Sequence, residues 1–297
     1  MRLVSTRASA MMKRRLFLCV FLSLFLCLDL VPAHAGKRVA LVIGNSTYSR
    51  VAALPNPGRN AGAMGELFRR IGFDLVAIRT DLDHAGMRKA LREFSQSVRD
   101  ADIAVVFYAG HGIEVAGSNY LIPVDAVLER DTDVEDETVS LDRVSQLIEP
   151  ARRLRLIILD ACRDNPFASA MRRSATRSIG RGFARVEVQT QDSMITFAAK
   201  PGATARDGDG TNSPYTTALL RNLATPGLDI RLATGRVRDE VLAATGRAQE
   251  PTLFTSLGGA EIAAGARESA ARGTGIGTGR GSPGLDRHPG HQQYCNP

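Results

Sequence analysis

Five stretches of the chain are apolar on both sides of the backbone and stop at turn-forming residues. They are "RVALVIGN" (residues 38–45), "FDLVAIR" (73–79), "ADIAVVFYAGHG" (101–112), "LRLIILDAC" (154–162) and "SMITFAA" (193–199). Short β-branched runs of this kind predict strands covered on both faces, as in a parallel sheet. Between them, apolar residues recur at helical spacing over 60–72, 84–100, 140–150, 213–224 and 230–246. In "SPYTTALLRNLA", Ser213 is placed to cap a helix and Pro214 to occupy its first position. Such alternation predicts an α/β fold: a three-layer sandwich whose mostly parallel sheet carries helices on both faces. In sheets of this type the chemistry gathers at the carboxyl ends of the strands.

Two regions depart from the pattern. Residues 168–189 are rich in Arg, Ser and Gly and predict a long exposed connection. Residues 264–297 turn to Gly, Ala, Arg and Pro without periodicity and predict a disordered tail. The N-terminus follows another logic. Lys13, Arg14 and Arg15 precede the apolar run "LFLCVFLSLFLCL", and "AHA" (Ala33, His34, Ala35) offers small residues for cleavage. The run suits a signal-peptide core better than a membrane span. Residues 1–35 are therefore expected to be a signal peptide and the protein to be exported, periplasmic or secreted. Membrane attachment would arise only if that segment stayed uncleaved.

Loss of residues 1–35 would remove five basic residues and one acid, taking the formal charge from +7 to +3. That balance, with no Trp and 5% aromatics, gives little for a nucleic acid to bind, and none is expected as a partner. The same cleavage leaves two cysteines, Cys162 and Cys295, too few for a disulfide framework. Cys162 ends an apolar strand, and His111 lies between glycines in "AGHG" at the end of another. A thiol beside a histidine is a nucleophile beside its base. Flanking glycines let the backbone turn sharply and free an N–H for an oxyanion. Taken alone, each residue has a plainer reading, a small buried cysteine and a turn histidine. With His34 in the expected signal peptide and His288 and His291 in the expected tail, the remaining His and Cys form no pair at ligand spacing, so no metal site is expected from them. "VIGNSTY" follows the first strand but lacks the lysine and glycine spacing of a phosphate-binding loop.

Cys162 lies 51 residues after His111, and "DACRD" echoes the caspase Gln-Ala-Cys-Arg-Gly pattern. With "FYAGHG", "NYLIPVDA", "DACRDNPF" and "NSPYTTALL" in this order, residues 38–259 resemble the bacterial caspase-like peptidases, relatives of metacaspases also called orthocaspases. The resemblance implies a caspase–hemoglobinase fold over residues 36–263, with a large-subunit-like part (37–167), the Arg-rich linker (168–189) and a small-subunit-like part (190–263). It implies Cys162 as nucleophile, His111 as general base and acid, and an oxyanion hole from the backbone N–H groups of Gly112 and Cys162. Asp160 occupies the place where metacaspases carry an aspartate lining the S1 pocket. It therefore points to protein or peptide substrates cleaved after Arg or Lys; the plainer reading is that it caps the following turn.

Arg172, Arg173, Arg177, Arg181 and Arg185 in the linker are then candidate self-cleavage positions, although Arg outnumbers Lys 34 to 4 throughout the chain. Where relatives commonly start the first helix with Asn-Asp-Ala, this chain has Asn60-Ala61-Gly62. The acidic stretch "ERDTDVEDE" (129–137) is either a solvated face or a calcium site of the kind that activates some metacaspases; its spacing is not an EF-hand's. No other cofactor is expected. The expected activity is that of a cysteine endopeptidase. Its rivals are a catalytically silent caspase-fold interaction module and a flavodoxin-like binding domain in which Cys162 is structural.

Overall fold

The five apolar runs pair into the spine of one sheet. In the computed structural model, residues 36–162, 167, 171, 172, 184, 186, 188, 190–201, 203, 205, 208 and 210–265 are described. The strands are β1 (Arg38–Gly44), β2 (Leu75–Thr80), β3 (Ile103–Val115), β4 (Ser118–Leu121), β5 (Val139–Ser140), β6 (Leu154–Cys162), β7 (Ser193–Phe197) and β8 (Thr252–Thr255). The helices are α1 (Pro57–Arg70), α2 (His84–Val98), α3 (Val134–Glu137), α4 (Leu141–Ile148), α5 (Pro214–Asn222) and α6 (Ile230–Ala244). The sheet runs β2-β1-β3-β6-β7-β8. The pairings from β2 to β7 are parallel, and β8 closes the edge antiparallel to β7.

Alternation along each strand sorts its side chains to two faces. Ala40, Val42, Val105, Phe107, Leu156 and Ile158 pack under α1, α5 and α6, against Met64, Phe68, Tyr215, Leu219, Ala233 and Val237. Leu41, Ile43, Val106, Tyr108, Ile157 and Leu159 pack under α2 and α4, against Met87, Leu91, Phe94, Val144 and Ile148. Each fully buried Leu, Ile or Phe contributes about 1.5–3 kcal/mol relative to exposure. Helix starts are set by side chains. Asp83, Ser140, Ser213 and Asp229 each accept a backbone N–H from the first turn that follows, and Pro214 begins α5 as expected.

Several boundaries differ from the sequence reading. The strand expected to end at Gly112 continues to Val115, because from Gly112 onward β3 exchanges its parallel neighbours for an antiparallel one, β4. The hairpin closes through Ala116 (φ 52°) and Gly117 (φ 85°), the double positive φ of a type I′ turn, with Glu114 Oε1 accepting from Gly117 N at 2.5 Å. His111 is thus a strand residue and not the exit turn that "AGHG" suggested. The first helix begins at Pro57, three residues before Asn60, since proline suits an N-terminal position whose N–H has no partner. The span 230–246, whose spacing allows one helix or two, forms one. Strands β4, β5 and β8 and the single turn α3 are too short to carry a periodic signal.

Part of the expected linker is anchored. Phe167 and Met171 are buried in a third apolar cluster with Tyr48, Ile113, Val115 and Ile122. Arg172 N donates to Glu129 O (2.8 Å), and its carbonyl accepts from Asp131 N (3.1 Å). The Asn119 amide accepts from Ala184 N (2.5 Å) and donates to Ala184 O (3.2 Å), as a neighbouring strand would. At the other end, Ala264 is buried and its carbonyl accepts from the Arg38 guanidinium at 3.1 Å, so the tail expected from residue 264 is still held there. Residues 266–297, the expected signal peptide at 1–35 and Arg173, Arg177, Arg181 and Arg185 lie outside the described residues. No described helix is long and apolar enough to cross a membrane.

Candidate active site

The central register brings the two chemistry-bearing residues together. Strands β3 and β6 pair in parallel from Ile103↔Leu154 to His111↔Cys162, so the residues 51 apart in sequence are direct neighbours at the carboxyl end of the sheet. Adjacent strands lie about 4.8 Å apart. Gly112 follows at once, pairing with Leu121 of β4, and Asp160 pairs with Ala109 two residues before the tip. The strand register thus sets His111, Gly112, Asp160 and Cys162 near one rim of the sheet. Arg172, by contrast, bridges Arg130 beside the acidic stretch.

His111 is 6% exposed. Its Nε2 lies 3.2 Å from Ala52 O, and since a carbonyl only accepts, Nε2 carries the proton. That tautomer leaves the lone pair on Nδ1, which is buried and has no hydrogen-bond partner among the described residues. An imidazole so disposed can take a proton. Burial lowers its pKa from the ordinary 6.5, opposed by the hydrogen bond to Ala52, so the neutral base persists to lower pH than in a free histidine. The ring of Tyr48 leans on the imidazole at 4.5 Å between centroids.

Asp160 is also buried, at 8% exposure. Its Oδ2 accepts from Asn60 Nδ2 (3.0 Å), Ser213 Oγ (2.5 Å) and Thr216 Oγ1 (2.6 Å). Asn60 Oδ1 in turn accepts from Ser213 N and Asn212 Nδ2. Ser213 Oγ also accepts from Thr216 N, so one hydroxyl caps α5 and fastens it to β6. The network joins the first helix to the beginning of α5, clamping the small-subunit-like part onto the strand that ends in Cys162. The partners described for Asp160 come from 53, 56 and 100 residues away.

Sequence reasoning missed Tyr48, Ala52, Asn60 and Thr216. Tyr48 belongs to "VIGNSTY", which was weighed only as a phosphate cradle, and Ala52 acts through its backbone, which no residue type announces. Asn60 carried a signal, an amide in a helix face otherwise bound for the core. Among the described residues no group of three His, Cys, Asp or Glu side chains could hold a metal. In the acidic stretch, Asp133 instead accepts the backbone N–H groups of Glu129 and Arg130.

The caspase domain family matches residues 37–259. The chain belongs to that family. The caspase-like domain is 30% identical over 130 residues to human mucosa-associated lymphoid tissue lymphoma translocation protein 1, and 29% identical over the same length to its mouse homologue. Those matches take in 43% of the chain but only 15% of each relative. The crystal structure of caspase-1 from Spodoptera frugiperda superposes with a TM-score of 0.57 over 79% of the chain and 92% of that structure, at 17% identity. This likeness shows the caspase fold, with its mostly parallel mixed sheet between helices.

Proposed function

We propose that this caspase-like domain is a cysteine endopeptidase that cleaves after Arg or Lys, with Cys162 as nucleophile and His111 as base. The observation that carries the reading is the register pair His111↔Cys162 at the carboxyl rim, with Nε2 of the imidazole engaged by Ala52 and Nδ1 left to accept a proton. His111 takes the thiol proton and the thiolate attacks the scissile carbonyl. The carbonyl oxygen gathers negative charge against the N–H groups of Gly112 and Cys162. The imidazolium then protonates the leaving amine, and water, deprotonated by His111, cleaves the thioester. Asp160, two residues before the nucleophile, supplies the negative charge that selects a basic side chain.

Self-cleavage in the Arg-rich linker belongs to the same proposal. Arg172 is poorly suited to it, because both of its backbone groups are already paired and Met171 before it is buried. The expected signal peptide places the enzyme outside the cytoplasm. Calcium is an additive to vary in the assay.

The test is hydrolysis of an Arg-ended fluorogenic peptide beside an Asp-ended one, with Cys162→Ala and Asp160→Ala as controls, with and without calcium. Turnover of the Arg peptide that vanishes in Cys162→Ala is expected. Silence toward both peptides would overturn the peptidase reading, and preference for the Asp peptide would overturn the role of Asp160.

A further inference from the structure

We infer that Tyr48 is a positioning residue for His111, acting together with Tyr108 to fix the imidazole in the orientation that a proton acceptor needs. The inference rests on the role proposed for His111, and its observations are independent of the strand register that carries that role. At His111, β3 is leaving the parallel sheet for the hairpin, and tyrosine hydroxyls take up its backbone. His111 N donates to Tyr48 Oη at 2.7 Å, and Tyr108 Oη lies 2.7 Å from His111 O and 3.0 Å from Ile122 O. A phenol has one proton to give. Tyr108 aims its proton at those two carbonyls, so in the 3.3 Å contact between the hydroxyls Tyr48 is the donor. The peptide groups on both sides of His111 are thereby held by a pair of buried phenols. Burial raises Tyr108 well above its ordinary value, which keeps it a donor at any working pH.

Gly110 shows how closely this arrangement is built. With φ at 155°, any Cβ there would lie 2.6 Å from Tyr48 Oη and 2.7 Å from Tyr108 Oη, so no side chain fits between the hydroxyls and the strand. The loop that carries Tyr48 also supplies Ala52 O, the partner of Nε2. That loop is tied down independently of His111. Asp81 Oδ1 accepts from Ser46 N and Thr47 N, Ser49 N donates to Val124 O, and Leu54 N donates to Ser46 O. One segment therefore grips His111 at its amide, ring face and Nε2. Tyr48 and Tyr108 are the titratable side chains shown against the histidine, and Cys162 is its neighbour in register.

Catalytic groups lose rate steeply when displaced, about a hundredfold for roughly 1 Å. Tyr48→Phe keeps the ring and removes the acceptor of His111 N–H. The expected result is a fall in kcat of about tenfold or more, with KM within about twofold and the acid limb of the pH profile moving up toward the ordinary histidine value as the loop loosens and water enters. Tyr108→Phe should act in the same direction and serves if the first variant does not fold. A folded variant with unchanged kcat and an unchanged acid limb would overturn the inference. If the wild-type domain proves silent toward peptides, the function proposed above fails, and Tyr48 is then judged by the NMR titration of His111. An upward shift in Tyr48→Phe supports the positioning role, and an unmoved titration refutes it.

Discussion

Within β3, His111 sits among two phenols and a backbone carbonyl; two residues before the tip of β6, the carboxylate of Asp160 sits among an amide and two hydroxyls. The two strands are neighbours, and both side chains are over nine-tenths buried. Their surroundings differ in the partners they supply. A base is useful when neutral, and burial favours the neutral imidazole. A buried carboxyl group needs donors to replace lost water, and three converge on one oxygen of Asp160. The surroundings of His111 leave a ring nitrogen open, whereas those of Asp160 tie α1 and α5 to β6.

That contrast is broken most severely at the histidine. His111→Ala should lower kcat/KM on an Arg-ended peptide by about 10²–10⁴, the span typical of a lost general base. The fold should survive, as judged by circular dichroism. A variant retaining most of the activity would remove His111 from the chemistry.

Asp160→Ala probes the other side, where the expected loss is of stability as well as of activity. Leaving Asn60, Ser213 and Thr216 without their common acceptor should cost about 3 kcal/mol. At roughly 2–4 °C per kcal/mol for a domain of this size, the thermal midpoint should fall by about 6–12 °C. Ser213→Ala, which loses one of those bonds and the cap of α5, should cost about 1–2 kcal/mol. An unchanged midpoint in Asp160→Ala would mean that the network does not join the two halves.

The smallest effect sharpens the comparison through pH. Because burial lowers the His111 pKa, the acid limb of kcat/KM should lie below 6.5. Activity would then be retained as pH falls past the ordinary histidine value and lost only as the imidazole finally takes a proton. A limb above 6.5 would indicate a histidine stabilised in its charged form, contrary to the dry setting of His111.

The sheet was readable in the sequence because strands covered on both faces must be largely apolar, and "VALVIG", "IAVVFYA" and "LIIL" are. The helices were readable from their spacing, and α5 from the Ser213-Pro214 start. His111 and Cys162 stood out because few residue types carry such chemistry and both close apolar runs. The hairpin after His111 was hidden. Its turn uses an alanine at positive φ, where Asn or Asp would have signalled it, and β4 is only four residues long. The supports of the site were equally hidden, since Ala52 contributes a carbonyl and Asn60 joins Asp160 and Ser213 only after the chain has folded. Residue type reveals which groups can react. It does not reveal which backbone atoms will hold them.

The pairing of β3 with β6 has a consequence for newly made chain. Local structure can form α1 or the β3–β4 hairpin early, but the neighbourhood of His111 and Cys162 requires closing a 51-residue loop in parallel, a slow, late event for any polypeptide. An incompletely assembled molecule therefore holds a thiol and an imidazole that have not met, and the activity proposed for this pair would wait on that docking.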